Sequence, residues 1–143
     1  MTTQTDGAIG YVEYAYATQN KMAYAKLINK AGQSVEPSAD SFQAAAANAD
    51  WAHSDDYYVI LTDQDGAKSW PITGASFILM YREAQDAAAV KEALAFFAWA
   101  FKDGAAMAAA LNYVPLPAPL IAQVEATWKS GIMSGGHPVW SGQ

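Results

Sequence analysis

The fold class is decided by residues 70–102, which read WPITGASFILMYREAQDAAAVKEALAFFAWAFK. Trp70 stands before a proline, and the residue before proline avoids the helical region of backbone space. An apolar run then predicts a strand over residues 72–81. Asp86 can cap the long helix that follows over residues 87–102, where alanines favour helix. A strand that leads into a helix predicts a chain of mixed α and β class.

Further helices are predicted from apolar stripes and capping residues. Gly104 follows the long helix and is suited to the left-handed position that ends many helices. The stripe of the long helix has the i, i+4, i+7 and i+11 spacing of one face and consists of Val90, Leu94, Phe97 and Phe101. Other helices are predicted at residues 13–19, after Ser38 with Phe42, Ala45 and Ala46 on one face, at residues 105–111, and at residues 118–129 with Leu120, Val124 and Trp128 on one face.

Strands are predicted mainly in the first half of the chain. Gly32 lies in a turn where a positive φ is expected, and Asp65-Gly66 is a second strong turn signal. Because strands come first and helices accumulate later, the class is mixed, and Trp70-Pro71 is the expected crossover. The predicted strands cover residues 8–12, 22–28, 33–35 and 57–62, in addition to residues 72–81.

Composition excludes several classes of function. The 143 residues are 52% apolar and 15% charged, which favours one folded domain over disorder. A chain of this length is expected to bury about 68–70% of its unfolded surface. The net charge of −6 nearly excludes nucleic acid as a partner, because binding requires that phosphates be neutralised.

The absence of cysteine excludes disulfides and thiol catalysis. No apolar run is long enough for a transmembrane helix. Residues 1–7 lack a positive and an apolar region, so no secretory signal is expected there.

The two histidines are candidates for chemistry. His53 lies near Asp50, Asp55 and Asp56, and a histidine beside carboxylates can bind a metal or act as a base. No second histidine stands at a ligand spacing, so a solvated polar loop is favoured. His137 lies in a tail rich in glycine and proline and is interpreted as loop.

Two short motifs each allow a ligand-binding and a structural interpretation. Asp63 and Asp65, with the glycine after them, match a fragment of a calcium loop, but the closing glutamate is missing and a hairpin turn is favoured. Thr73-Gly74-Ala75-Ser76 can cradle an anion through backbone N–H groups. An anion site usually has a helix after the glycine, whereas a strand-like run follows here. Arg82, the nearest basic residue, is six positions further on, so entry into a strand is favoured.

Nothing else in the sequence predicts catalysis. The chain has no nucleophile elbow, Walker loop or dinucleotide fingerprint. The aromatic residues Phe96, Phe97, Trp99 and Phe101 cluster on the long predicted helix, and they indicate a core or an interface rather than a cofactor site. The residues alone therefore indicate an acidic α/β chain that is not an enzyme.

The order of several segments resembles a known family. Residues 7–16, GAIGYVEYAY, are similar to a signature stretch of the periplasmic phosphate-binding proteins of the PstS family, the receptors of a high-affinity phosphate ABC transporter. The joint order of the segments makes the resemblance specific, and it extends over residues 7–140, against the C-terminal portion of the family. The further segments are 37–47, 49–51, 70–79, 96–100, 111–117 and Val124 with Trp128-Lys129.

The resemblance implies a two-lobed periplasmic-binding-protein-like (type II) fold, of which this chain supplies the C-terminal portion, a mixed sheet with flanking helices. Residues 1–70 are expected in the second lobe, and residues 71–143 are expected to form the crossover and the C-terminal part of the first lobe. The implied function is the binding of inorganic phosphate and its delivery to an ABC importer, with permease subunits as partners. The implied location is the periplasm, and neither a cofactor nor a metal is implied.

No site residue is assigned from the resemblance. The phosphate ligands of the family lie upstream of the matching stretch, and none maps onto a position here. Residues 73–76 imitate a Ser-Gly-Thr ligand segment only superficially, and Arg82 does not correspond to the ligand arginine. Selective binding of a buried phosphate requires many donors and usually an arginine fork. The chain is therefore expected to supply scaffold and not the phosphate ligands.

The alternative is a stand-alone structural or interaction module that does not bind a ligand. In this interpretation, the lack of the upstream part of the family leaves sheet edges and apolar helix faces uncovered. Self-association, or pairing with a complementing N-terminal chain, is therefore expected.

Overall fold

The computed structural model describes residues 4–142, except for the side chain of Asp55. Helices dominate and strands are short, in agreement with a mixed α and β class. None of the described helices is both long and apolar enough to cross a lipid bilayer. In chain order the elements are α1 (Tyr14–Gln19), β1 (Leu27–Ile28), β2 (Ser34–Val35), α2 (Ala39–Asn48), a 3₁₀ turn (Asp55–Tyr57), α3 (Ala87–Lys102), α4 (Ala105–Ala110), α5 (Ala118–Gly131), β3 (Met133–Ser134) and β4 (His137–Pro138).

Side-chain caps explain where α2 and α3 begin. The Ser38 hydroxyl accepts a hydrogen bond from the Ser41 N–H at 3.2 Å, and the Ser41 hydroxyl accepts one from the Ser38 N–H at 2.9 Å. At α3, the Asp86 Oδ1 accepts from the N–H groups of Ala88 and Ala89, both at 3.0 Å. The first N–H groups of a helix have no partner within it, so these bonds fix each start. Both predicted caps are confirmed.

The junction of α3 and α4 differs from the prediction for Gly104. Its φ is −76°, and it directly precedes α4 instead of ending α3 in the left-handed conformation. A Cβ at this position would lie 2.8 Å from the carbonyl oxygen of Ala100. Glycine is therefore needed here because a side chain would clash with the backbone of α3 at Ala100, and not because φ is positive.

Among residues 4–142, the β structure consists of two short antiparallel hairpins and two isolated bridges. In the first hairpin Leu27 of β1 lies opposite Val35 of β2, and Gly32 in its turn has φ +73°, as predicted. β3 and β4 form the second hairpin, so the interpretation of His137 as loop is wrong. One bridge closes the loop of residues 63–71, and the other joins the segment before α3 to β3.

The longer predicted strands are not formed within the described chain. Residues 9–12 and 74–81 make no backbone hydrogen bond to any other described residue. The strands predicted at 8–12, 57–62 and 72–81 are thus wrong for residues 4–142, except at the bridge between Thr62 and Ile72, and the strand predicted at 22–28 forms only at Leu27–Ile28. A strand is stabilised by its neighbours, and these segments have none beside them.

Two separate apolar clusters form the core. The predicted stripe of α3 is confirmed at Leu94, which is fully buried in one cluster, and at Val90, which packs against that cluster. The first cluster joins α2 to the segments after it and consists of Ala46, Ala49 and Leu61, with Trp51, Val59 and Ala75 packed against it. The second cluster joins α3 to α5 and β4 and consists of Leu94, Ala98, Ile132 and Trp140, with Met80, Val90, Ala95, Trp128 and Val139 packed against it.

Polar contacts join the two halves of the chain. The Gln43 Nε2 on α2 donates to the carbonyl oxygen of Pro115 at 3.2 Å. The hydroxyl groups of Tyr57 and Thr127 lie 2.7 Å apart. Because these contacts lie at the surface or are only partly buried, each contributes modestly to stability.

The most completely bonded polar side chain of the first half is that of Asn29, which is buried. Its Nδ2 donates to three carbonyl oxygens within residues 66–69, at 3.1–3.2 Å. Its Oδ1 accepts from the N–H groups of Ala31 and Gln33, at 3.1 and 3.0 Å. Asn29 therefore joins the β1–β2 hairpin to a loop almost forty residues away in sequence.

The chain exposes more surface than a self-contained domain of its mass. Its accessible area is 9926 Å², whereas a folded monomer of 15.3 kDa is expected to expose about 7,100 Å². It buries about 55% of its unfolded surface, so the expectation of 68–70% is wrong. The apolar side chains with the largest exposed fractions are those of Ile9, Tyr11, Tyr58, Leu79 and Tyr81.

Candidate functional site

His53 forms a hydrogen bond with Asp50 at the surface. The His53 Nδ1 lies 2.8 and 2.9 Å from the two carboxylate oxygens of Asp50. The hydrogen bond to His53 holds the pKa of the Asp50 carboxyl below its usual value. Both side chains are exposed, and Asp56 faces Arg82 instead. The side chain of Asp55 lies outside the described residues. The geometry is that of the solvated loop favoured by the sequence, and it has no enclosed space for a substrate.

The Asp63–Asp65 motif is part of a loop held by ordinary polar contacts. The Lys30 Nζ lies 2.8 Å from the Asp65 carboxylate, and this contact raises the pKa of Lys30. The Ser69 hydroxyl donates to the carbonyl oxygen of Asp65 at 2.6 Å. Over the described part of the chain, no three potential metal-ligand side chains come together. Asp65 therefore stabilises the loop through these contacts.

Residues 73–76 do not converge with Arg82 on a common point. The buried Thr73 hydroxyl donates to the carbonyl oxygen of Trp70 at 3.0 Å, so it is directed at the chain itself. Ser76 is exposed. The Arg82 guanidinium forms an ion pair with Asp56 at the surface. An anion site needs several donors directed at one point, and this arrangement does not provide them.

A shallow cavity of about 300 Å³ lies between the start of α3 and the β3–β4 hairpin. Lys91 and the exposed His137 line it, together with small and apolar side chains. The first N–H groups of α3 already bond to Asp86, so they are not available to a ligand. The cavity therefore has neither the enclosure nor the convergent donors of a binding site.

The aromatic cluster is divided between core and surface. The ring of Phe101 stacks on that of Trp128 at 5.8 Å, and Trp128 meets Trp140 edge to face at 6.0 Å. Phe96 and Trp99 lie 5.8 Å apart on the outer side of α3 and are exposed. The interpretation as core is thus confirmed for Phe101, whereas an interface at the exposed Phe96 and Trp99 stays a prediction.

The role of Asn29, which lies in the turn that contains Gly32, was not predicted from the sequence. The only sequence signal was an asparagine at a turn, where its side chain commonly bonds to nearby backbone. Its bonds to residues 66–69 depend on tertiary structure, so no local pattern predicts them.

The sequence is similar to phosphate-binding proteins. No family model matches the chain. It is 52% identical over 134 residues to the phosphate-binding protein PstS of Pasteurella multocida, which is 93% of this chain and 39% of that protein. It is 53% identical over 127 residues to the protein of the same name from Xylella fastidiosa, covering 89% and 35%. A third relative with this name, from Haemophilus influenzae, is 50% identical over 123 residues, covering 86% and 37%.

The chain spans little more than a third of the length of the relatives that it matches. That share agrees with the prediction that it corresponds to one portion of a longer phosphate-binding protein. An identity of about half, sustained over nearly the whole chain, matches the ordered resemblance found in the sequence. The chain belongs to the PstS family of phosphate-binding proteins.

Proposed function

We propose that the chain forms the C-terminal portion of a periplasmic receptor that captures inorganic phosphate and delivers it to an ABC importer. The observation that carries this proposal is the identity of 50–53% to proteins named phosphate-binding protein PstS. The partners are then phosphate, bound by the full-length receptor, and the permease subunits. The role is binding and delivery and not catalysis.

Within that receptor, this chain supplies scaffold and no phosphate ligand. Two observations support this role. Arg82, the only arginine of the sequence, is paired with Asp56 at the surface. The Thr73 hydroxyl is directed at the backbone of Trp70. A site that held phosphate would need these groups to point to a shared centre, with an acceptor for the remaining proton of the anion.

The two parts of the chain belong to different lobes of the proposed receptor. Residues 1–70 contribute to the second lobe, and residues 71–143 form the crossover and the C-terminal part of the first lobe. The two apolar clusters support this division, since one lies around α2 and the other around α3, α5 and β4. Ala75 packs on the first cluster and Met80 on the second, so the segment between them crosses from one to the other.

Calorimetric titration with inorganic phosphate tests the proposal, with sulfate as the control anion. The chain alone should give no heat of binding. The informative protein is a chimera, defined as X. fastidiosa PstS whose matching 127 residues are replaced by those of this chain. We expect the chimera to bind phosphate and to discriminate against sulfate. Tight, phosphate-selective binding by the chain alone, or a folded chimera that does not bind phosphate, would contradict the proposal.

The second candidate is a structural or interaction module that binds no ligand. The exposed apolar surface favours it, because such surface usually marks a contact with another protein. The same chimera separates the two functions. A folded chimera that does not bind phosphate would favour the module.

A further inference from the structure

We propose that Asp56 and Tyr57 form a reversible clamp between the two core clusters, which limits the rotation of one cluster relative to the other. The clamp is a property of the chain itself. Its effect on a receptor, which is to slow the entry and release of phosphate, rests on the proposed function.

The two clusters are connected by a short stretch of backbone, residues 75–80, here called the crossover segment. Ala75 packs on the first cluster and Met80 packs on the second. Residues 76–79 between them make no backbone hydrogen bond to any other described residue. Backbone without such bonds resists rotation of its φ and ψ angles weakly. The clusters therefore keep a fixed orientation only if contacts outside the crossover segment hold them.

Tyr57 provides such a contact through its ring and its hydroxyl group. Its ring centre lies 6.3 Å from that of Trp51, which packs on the first cluster and donates through Nε1 to the carbonyl oxygen of Ala46 at 2.7 Å. Its hydroxyl lies 2.7 Å from that of Thr127 on α5. Thr127 adjoins Trp128, which packs on the second cluster. The side chain of Tyr57 therefore joins one cluster to the other.

Asp56 adds a contact to a different element. Its carboxylate pairs with the guanidinium of Arg82, and the carbonyl oxygen of Arg82 accepts from the N–H of Met133 in β3 at 2.7 Å. Met133 directly follows Ile132 of the second cluster. Adjacent residues of one turn thus reach both α5 and the segment beside β3. Contacts at two points oppose rotation, whereas a contact at one point would leave a pivot.

The backbone of the turn is strained at both residues of the clamp. Asp56 has φ +54° and Tyr57 has φ +59°. A bulky residue rarely adopts this left-handed region, and such strain persists only where the surrounding structure holds it and is common at functional positions. The Ser54 hydroxyl donates to the carbonyl oxygen of Tyr58 at 2.7 Å, which holds the turn. The turn presents two neighbouring side chains to the second cluster, whereas a strand would direct them to opposite sides.

The clamp is reversible because its contacts lie at the surface. Thr127 is exposed, as are the side chains of Asp56 and Arg82. Water can replace contacts of this kind, so each one contributes little to stability and can break without loss of the core. The half-buried contact between Gln43 and Pro115 does not depend on the turn. Breaking the clamp should therefore cause rotation of the clusters and not their separation.

Distances between spin labels test the clamp in the free chain. The sequence has no cysteine, so Ala47→Cys on α2 and Glu92→Cys on α3, both at exposed positions, attach the labels at defined sites. The distance distribution should be narrow in the labelled parent and broader by about twofold in Tyr57→Phe and in Thr127→Val. Because both substitutions break the same hydrogen bond, combining them should broaden the distribution no further.

Tyr58→Phe is the matched control. It removes the same hydroxyl group from the neighbouring tyrosine, whose side chain is 79% exposed. Its distance distribution should equal that of the parent, and circular dichroism should show the same helix content in every variant. Unchanged distributions in Tyr57→Phe and Thr127→Val would overturn the inference, and so would equal broadening in Tyr58→Phe.

Stopped-flow mixing of the chimera with inorganic phosphate tests the consequence for a receptor. An anion enclosed between two lobes enters and leaves when the lobes rotate apart, and the clamp opposes that rotation. Thr127→Val should raise the rate constants of association and dissociation by about three- to tenfold, the factor that corresponds to one lost hydrogen bond. The dissociation constant should stay within about twofold, because the clamp opposes entry and release alike. Unchanged rate constants would contradict this role.

The two proposals fail in different ways. A chimera that does not bind phosphate contradicts the proposed function, while the label distances in the free chain still decide whether the clamp exists. Unchanged label distances contradict the clamp even if the chimera binds phosphate.

Discussion

Replacing Asn29 by alanine should destabilise the chain more than any other single change of a polar residue in its first half. The side chain is buried, and it holds loop 66–69 against the β1–β2 hairpin. Its two amide hydrogens and two accepted bonds amount to about four hydrogen bonds, each worth about 1 kcal/mol net. Water can reach the partly buried partners after the substitution, which reduces the loss. We therefore expect Asn29→Ala to lower the free energy of unfolding by about 2–4 kcal/mol.

Urea unfolding followed by circular dichroism measures this loss. Asn20→Ala is the matched control, because the Asn20 amide is exposed and makes only one side-chain bond, to the carbonyl oxygen of Tyr16. The control should lose less than about 0.5 kcal/mol. A loss for Asn29→Ala below about 1 kcal/mol, or one no larger than the control, would refute the role assigned to this residue.

Three further predictions concern packing, backbone and pH. Gly66 has φ +107°, and a Cβ there would lie 2.6 Å from the side-chain amide nitrogen of Asn48 on α2. Gly66→Ala should therefore lower the urea midpoint more than Gly32→Ala, where φ is +73° but the space around a Cβ is open. Leu94→Ala should cost about 3–5 kcal/mol in the same assay, because Leu94 is fully buried; a cost below 1 kcal/mol would contradict the second cluster as a core. The carboxyl of Asp50 should titrate by NMR below its ordinary pKa of 3.8, and the His53→Gln variant should raise this pKa toward that value. Because the pKa of Asp50 is lowered in the folded state, the pair's contribution to folding stability is present above the ordinary pKa and is lost as pH falls through the folded-state pKa. An unchanged titration midpoint of Asp50 in His53→Gln would contradict the pairing.

The helices were predictable because their signals are local. The caps Ser38 and Asp86 and the stripe around Leu94 lie within a few residues of the backbone groups and faces that they serve. The helix that follows Pro117 was found in the same way. A pattern of this kind does not depend on the rest of the protein. These helices therefore form even in a chain that matches only part of the length of its relatives.

The strands were not predictable in the same way, because pairing depends on neighbours outside the segment. Residues 72–81 have the composition of a buried strand, yet only Ile72 forms a bridge. Local preference is satisfied only when a partner strand is present. Gly104 shows a related limit, since its predicted location at the end of α3 was correct but its close approach to Ala100 depends on how two helices meet.

The candidate sites of the sequence could be judged only in three dimensions. His53 and Asp50 do meet, as their spacing allows, but at the surface. Thr73 and Arg82 are near in sequence and point to different partners. Residue types near one another indicate what chemistry is possible, whereas burial and a common direction decide whether a site exists.

We propose above that this chain serves as scaffold in a phosphate receptor and contributes no ligand. The most direct test is the affinity of the chimera for phosphate, measured by calorimetry before and after the double substitution Ser76→Ala and Arg82→Gln. We expect both proteins to bind phosphate, with dissociation constants that agree within about twofold. A chimera whose affinity falls by about tenfold or more on this substitution would contradict it.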